Sequence, residues 1–163
     1  MTIIGREYEK KQLQKILQSN EAEFVAVYGR RRVGKTSLLL EFVKKKDHLY
    51  LLCEKVSTHD QLQKFSTEIG AYIQDDLLRS RGFGNFEEML QYLGKQKKKR
   101  WVLIIDEFPY LIESTQGLVS TFQKGWDLAL QHSNIMLCLT GSSISMMETE
   151  VLAYRSPLYG RRT

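Results

Sequence analysis

Short apolar runs alternate with stretches of helical periodicity along the chain. Four mainly apolar runs have the length of buried strands, and they cover residues 24–28, 48–53, 101–105 and 135–139. Between them, apolar residues recur at helical spacing, which predicts helices over residues 8–18, 35–45, 58–78, 86–93, 117–130 and 143–152. Strands that alternate with helices are typical of an α/β fold, in which helices cover both faces of a parallel sheet. Such a sheet places its ligands at the carboxyl ends of its strands.

The composition excludes several classes of protein. Of the 163 residues, 42% are hydrophobic and 26% are charged, which is ordinary for a globular protein and excludes disordered and fibrous chains. The length fits a single domain over residues 1–163. No apolar stretch approaches the roughly 20 residues of a membrane span, and residues 1–6 lack a signal-peptide core, so we expect a cytoplasmic protein without a membrane partner. Cys53 and Cys138 lie far apart within apolar runs and are predicted to be buried thiols.

The net charge of +5 has a local origin. Residues 95–100 (KQKKKR) alone carry five positive charges, so the rest of the chain sums to zero. The net charge therefore does not imply a basic face for nucleic acid. We interpret this run as a solvated loop before a strand, with a nucleic-acid patch as the alternative.

A phosphate-binding motif follows the first predicted strand. Gly29, Gly34, Lys35 and Thr36 occupy every fixed position of the P-loop pattern G-x-x-x-x-G-K-[ST]. The two glycines allow the sharp turn that brings backbone N–H groups onto phosphate oxygens, and the following helix adds its dipole. Lys35 is expected to reach the β- and γ-phosphates, and the Thr36 hydroxyl is expected to bind Mg²⁺. The predicted nucleotide-binding residues of this segment are Gly29, Arg30, Arg31, Arg32, Val33, Gly34, Lys35, Thr36 and Ser37, with at least two of the three arginines exposed to solvent.

Two carboxylates stand at the end of the third predicted strand. Asp106 and Glu107 directly follow the apolar residues 102–105. Downstream of a P-loop, Asp106 is expected to complete the Mg²⁺ shell with Thr36, and Glu107 is expected to polarise the attacking water as general base. The alternative for Glu107 is a solvated loop carboxylate.

Small hydroxylated residues end the fourth predicted strand. Thr140 and Ser142 lie there, and a polar side chain at this place could sense the γ-phosphate or hold the attacking water. The alternative for Ser142 is that it caps the helix that begins near Ser143. Near the end of the sequence, Arg161 or Arg162 could stabilise transition-state charge in a neighbouring subunit, with a basic tail as the alternative.

Five segments in order resemble one known family. They are residues 4–7 (IGRE), 28–36 (YGRRRVGKT), 105–111 (IDEFPYL), 140–143 (TGSS) and 156–162 (SPLYGRR). Together they resemble the archaeal-type ATPases of the MNS clade, which are relatives of the STAND and AAA+ ATPases. The resemblance covers the whole chain, and the combination of segments is more specific than any one of them.

The resemblance implies a fold and further site residues. The fold is a P-loop NTPase three-layer α/β/α sandwich with a mostly parallel sheet, in which the strand carrying Thr140 lies between the P-loop strand and the strand carrying Asp106. The implied cofactors are ATP and Mg²⁺. Further roles follow from the resemblance alone: Ile4, Gly5 and Arg6 flank the adenine, Thr140 or Ser142 fills the sensor position, and Arg161 or Arg162 serves as an arginine finger.

Members of that family continue past the point where this sequence stops, with a fifth core strand, a small helical lid and a C-terminal region. We therefore expect an ATPase-core fragment whose P-loop strand is a sheet edge, and which self-associates and hydrolyses ATP slowly on its own.

The leading hypothesis is a Mg²⁺-dependent ATPase core that acts as a switch or motor module of a larger protein. The alternative is a nucleotide-gated DNA- or protein-binding module related to replication-initiator ATPases. A small-molecule kinase is disfavoured, because acceptor-binding and lid signatures are absent. The expected partners are ATP or ADP, a second copy of the chain at the nucleotide site, and DNA through a C-terminal region.

Overall fold

A computed structural model of the chain describes residues 6–152, and its centre is a parallel four-stranded sheet. The strands are β1 (Glu23–Tyr28), β2 (His48–Leu52), β3 (Trp101–Asp106) and β4 (Ile135–Gly141). They lie in the order β1-β4-β3-β2, and every neighbouring pair is parallel. The strand carrying Thr140 thus lies between the P-loop strand and the strand carrying Asp106, which confirms the expected order. Strand β1 lies at one edge of the described sheet.

Helices pack on both faces of the sheet. They are α1 (Glu7–Leu17), α2 (Lys35–Val43), α3 (Thr58–Ile73), α4 (Asp76–Arg81), α5 (Phe86–Gly94), α6 (Phe108–Ser114), α7 (Leu118–Leu128) and α8 (Ile144–Met146), with a 3₁₀ turn at Leu130–His132 and a π-helical segment at Met147–Leu152. Side chains of β3 alternate between two apolar cores: Val102 and Ile104 pack with α1 and α2, whereas Leu103 and Ile105 pack with α3 to α7. The predicted three-layer α/β/α sandwich is confirmed, because both faces of the strand are buried.

The surroundings of the two cysteines can be compared with the prediction from the sequence. Cys53 and Cys138 are buried free thiols, as predicted, and burial raises the pKa of Cys138 to about 12. Within residues 6–152, no helix is both long and apolar enough to cross a membrane.

The continuous helix predicted over residues 58–78 is wrong. Gln74 adopts the left-handed conformation (φ 63°, ψ 45°), so α3 ends at Ile73 and α4 begins at Asp76. The Asp75 carboxylate accepts a hydrogen bond from the backbone N–H of Leu78 at 3.0 Å and caps α4. A carboxylate that can bond to nearby backbone competes with helix continuation, and the spacing of apolar residues does not register that competition.

Helix α6 was not among the helices that periodicity predicts. It follows Glu107 directly and carries Pro109 in its first turn, where a proline lacks only an N–H that would have no helical partner. The helix has seven residues, which is too short for an apolar period to stand out from its surroundings.

The basic run at residues 95–100 departs from the predicted solvated loop. Three of its lysines are exposed. The Arg100 guanidinium, however, donates to the carbonyls of Ile16 at 3.0 Å and Leu17 at 3.1 Å, and Lys98 forms an ion pair with Asp47 at 3.1 Å. Arg100 therefore satisfies carbonyls at the end of α1, where a helix leaves acceptors without partners, and connects that helix to the start of β3.

Candidate functional site

The predicted site segments meet at the carboxyl edge of the sheet. A cavity of about 380 Å³ opens there between the loop after β1, the end of β3 and the end of β4, and it is lined by Arg31, Arg32, Gly34, Lys35, Thr36, Ser37, Glu107, Tyr110 and Ser142. Cavities of about 430 Å³ and 500 Å³ lie elsewhere, so volume alone does not identify the site. The cavity at the carboxyl edge is distinguished by the chemistry of its lining.

The P-loop backbone has the conformation that its glycines permit. Gly34 has φ 87°, which a side chain would strain, and its carbonyl accepts the N–H of Leu38 at 2.8 Å as α2 begins. The N–H of Gly29 donates to the carbonyl of Gly141 at 3.3 Å, which ties the start of the loop to the end of β4. The N-terminus of α2 therefore faces the cavity, where its free N–H groups and dipole favour an anion.

Lys35 places a buried ammonium group in this loop. The side chain is 6% exposed, and Nζ donates to the carbonyls of Gly29 at 2.8 Å and Arg30 at 3.0 Å and to Ser142 Oγ at 3.2 Å. All three acceptors are neutral, and no carboxylate within residues 6–152 forms an ion pair with Lys35. A buried cation without a counter-charge is unfavourable unless an anion joins it.

Asp106 is the acceptor at the centre of the site. It is 2% exposed, and each carboxylate oxygen accepts two hydrogen bonds. Oδ2 accepts from Thr36 Oγ1 at 2.7 Å and from the Tyr50 hydroxyl, and Oδ1 accepts from the Glu107 N–H at 2.9 Å and from the Thr140 hydroxyl. The two predicted Mg²⁺ ligands, Thr36 and Asp106, are therefore in direct contact. A hydroxyl and a carboxylate are the hard oxygen donors that Mg²⁺ selects, so the donor set fits this ion.

Glu107 projects its carboxylate into the cavity from a strained backbone. Its φ of 56° and ψ of 43° lie in the left-handed region, which costs a residue with a side chain about 1–2 kcal/mol. Oε1 accepts a hydrogen bond from Ser142 Oγ at 2.6 Å, and the side chain is half-buried. These contacts argue against the solvated loop carboxylate, because Ser142 holds the half-buried side chain at the cavity.

Thr140 and Ser142 have different surroundings. Thr140 is fully buried and donates to Asp106, so its hydroxyl supports this carboxylate from within the sheet. Ser142 lies one residue past the end of β4, in the cavity, in contact with both Lys35 and Glu107. The alternative of Ser142 as a helix cap is wrong, because the Ser143 side chain caps α8. Of the two, Ser142 lines the cavity and Thr140 does not.

The predicted site arginines within the described residues differ in their contacts. Arg30, Arg31 and Arg32 are all exposed, as expected for at least two of them, and Arg31 Nη2 donates to the Tyr110 hydroxyl at 2.6 Å across the cavity. Arg6 lies directly before α1 and donates to the carbonyl of Val33, so it contacts the P-loop. The remaining predicted residues lie outside the described range, namely Ile4, Gly5, Arg161 and Arg162.

Sequence reasoning missed two tyrosines of the site. Tyr50 on β2 contacts Asp106, and the burial of the phenol together with that carboxylate raises the pKa of Tyr50. Tyr110 lies in the first turn of α6 and lines the cavity. Tyr110 could have been found from its position three residues after Glu107, which forms one helical turn. No local pattern marks Tyr50, because its neighbour in the site belongs to another strand.

The different burial of the Thr140 and Ser142 hydroxyls predicts losses of stability of different size. Thr140→Val should lower the free energy of unfolding by about 1–3 kcal/mol, because it removes a donor from a buried carboxylate while it keeps the side-chain volume. Ser142→Ala should change it by less than about 0.5 kcal/mol, because water in the open cavity can replace the lost bonds. Urea unfolding of both variants measures this, and a larger loss for Ser142→Ala than for Thr140→Val would contradict the distinction.

Comparison with known proteins gives both a family and a fold. The model of a family of ATPase domains found predominantly in Archaea matches residues 3–163. The uncharacterized protein MJECL04 of Methanocaldococcus jannaschii is 38% identical over 160 residues, which cover 98% of this chain and 34% of that protein. The chain thus spans about a third of the length of this relative.

Two solved structures have a similar fold. The Walker-type ATPase PABY2304 of Pyrococcus abyssi superposes with a TM-score of 0.67 at 23% identity, covering 98% of this chain and 51% of that one. The ORC2 protein of Aeropyrum pernix, solved as ADPNP–ADP complexes, superposes with a TM-score of 0.62 at 16% identity, covering 90% of this chain and 44% of that one. At these identities, the likeness shows a shared P-loop ATPase fold.

Proposed function

Because the chain belongs to the family of ATPase domains found predominantly in Archaea, we propose that it binds ATP and ADP together with Mg²⁺ at the carboxyl edge of its sheet and hydrolyses ATP there. The module would serve a larger protein as a nucleotide-driven switch. The observation that carries the proposal is the buried Lys35 ammonium, whose acceptors within residues 6–152 are all neutral and which faces a cavity beside a helix N-terminus. A phosphate chain supplies the missing negative charge.

Each residue of the site would contribute one part of the reaction. The backbone N–H groups of the P-loop and Lys35 would hold the β- and γ-phosphates, and Thr36 with Asp106 would hold Mg²⁺, which supplies charge neutralisation when bound. Glu107 would orient a water molecule and accept its proton through the carboxylate. Ser142 links Lys35 to Glu107 and would keep both aligned on the γ-phosphate. The exposed guanidiniums of Arg31 and Arg32 at the cavity wall would add positive potential at its mouth.

The proposed preference of the site for adenine over guanine nucleotides is supported by the ORC2 protein, which shares the fold and was solved as ADPNP–ADP complexes. We expect isothermal titration of this chain to show binding of ADP that strengthens when Mg²⁺ is added, and binding of GDP at least about 10-fold weaker. The first effect follows from the Thr36 and Asp106 pair, and the second is the part carried by the comparison. Equal affinities for ADP and GDP would remove the adenine preference, and absence of binding by either would refute the proposed function.

The expected macromolecular partners stay predictions. A second copy of the chain was expected to contribute Arg161 or Arg162, which lie outside the described residues. Contact with DNA through a region beyond residue 163 is likewise a prediction.

A further inference from the structure

Tyr50 reaches the site from a strand that carries none of the motif residues. In the pairing of β2 with β3, Tyr50 lies opposite Ile104, and Leu52 lies opposite Asp106. The Tyr50 Cα therefore lies two residues, or roughly 6.6 Å, short of the Asp106 level along the sheet. Because alternate residues share a face, both side chains lie on the side of the sheet that packs against α2. The length of a tyrosine side chain bridges that offset, and the hydroxyl donates to Asp106 Oδ2.

With Tyr50, each of the two carboxylate oxygens of Asp106 accepts two hydrogen bonds. Oδ1 accepts from the Thr140 hydroxyl on the neighbouring strand β4 and from the N–H of Glu107, the residue directly after β3. Oδ2 accepts from Thr36 and Tyr50. Without Tyr50, Thr36 would be the one donor left to Oδ2 within residues 6–152, and the Thr36 oxygen must also turn a lone pair to the metal. Thr36 would then have to position both the ion and the carboxylate.

We propose that Tyr50 is a positioning residue of the magnesium site, whose hydroxyl holds Asp106 Oδ2 in the orientation in which Thr36 and Asp106 bind Mg²⁺ together. This inference rests on the proposed function. Mg²⁺ requires near-octahedral geometry and tolerates little displacement of its ligands. Groups that orient a ligand from behind it change metal affinity by about 10- to 100-fold when they are removed. The phosphate cradle does not involve Tyr50, so nucleotide binding without metal should not depend on its hydroxyl.

The test compares Tyr50→Phe with Tyr72→Phe. Tyr72 offers a matched control because its hydroxyl also donates to a carboxylate, that of Asp47, far from the cavity near the start of β2. Each substitution removes one tyrosine–carboxylate hydrogen bond and keeps the ring. Tyr50→Phe should cost more stability than Tyr72→Phe, because Asp106 is buried and Asp47 is exposed, and thermal unfolding checks that both variants stay folded at the temperature of the titration. The affinity for ADP is measured by isothermal titration in a chelator and at increasing Mg²⁺ concentrations. We expect the half-saturating Mg²⁺ concentration to rise about 10-fold in Tyr50→Phe and to stay at the wild-type value in Tyr72→Phe.

The outcomes separate this inference from the proposed function. If wild type binds ADP in a Mg²⁺-dependent way and Tyr50→Phe has the same dependence, the positioning role is refuted and the proposed function stands. If Tyr50→Phe loses ADP affinity equally in the chelator and in Mg²⁺, the residue supports the whole pocket and the positioning role is again refuted. If ADP binding by the wild type shows no Mg²⁺ dependence, the magnesium part of the proposed function is refuted, and the positioning role of Tyr50 is refuted with it.

Discussion

Lys35→Ala is expected to lower the affinity for Mg²⁺–ADP by at least about 100-fold. The ammonium is buried and forms no ion pair within residues 6–152. Bonds from a charged donor to phosphate contribute about 1.5–3 kcal/mol each, so losing two of them removes about 3–6 kcal/mol of binding energy. Isothermal titration of wild type and variant measures the loss. The fold should survive, because the carbonyls of Gly29 and Arg30 lie in a loop that borders the open cavity.

Lys46→Ala is the matched control for that experiment. Lys46 is half-buried and, like Lys35, donates to a main-chain carbonyl, that of Phe42 at 2.6 Å, but it lies just past the end of α2, away from the P-loop. Its removal should leave the affinity for ADP at the wild-type value. Equal affinities of Lys35→Ala and wild type would show that the nucleotide does not bind at this loop.

Glu107→Gln is expected to keep ATP binding and to lower ATP hydrolysis by about 100- to 10,000-fold, the usual contribution of a general base. Glutamine can still accept the hydrogen bond from Ser142, so the arrangement of the cavity should remain. It cannot take a proton from water, so the chemical step fails while the bound ground state survives. Single-turnover hydrolysis, measured beside equilibrium binding of ATP, separates the two.

Glu113→Gln on the exposed side of α6 removes the same charge a few residues away and should leave both measurements unchanged. Turnover of Glu107→Gln within a few-fold of wild type would mean that another group activates the water.

Continuous motifs explain why so much of the site can be predicted from the sequence. The P-loop needs only Gly29, Gly34, Lys35 and Thr36 at their spacing, because the turn, the helix start and the ammonium position are set by bonds between residues a few positions apart. The strand ending in Asp106 and Glu107 is equally local. Both faces of its sheet are buried, so its apolar residues run without interruption and mark the strand plainly.

The boundaries of helices were harder to predict, because single polar residues decide them. Asp75 caps a new helix after Gln74, and the spacing of the apolar residues does not indicate that break. In the sequence, Arg100 is one more charge in a basic run. In the structure, its guanidinium donates to the carbonyl of Leu17 at the end of α1, 83 residues away in sequence. Such bonds depend on which elements meet, and that is a property of the packed structure.

The sequence by itself determined the α/β class, the phosphate loop and the acid pair, since each follows from short-range spacing and apolar periodicity. Only the tertiary structure separated Thr140 from Ser142, because strand β4 ends between them: one hydroxyl is enclosed in the sheet and the other opens onto the cavity. Only the tertiary structure brought Tyr50 to Asp106, since that contact requires β2 to pair with β3 in one register. Register is set by the packing of whole faces, and a shift of one residue would turn Tyr50 to the opposite side of the sheet.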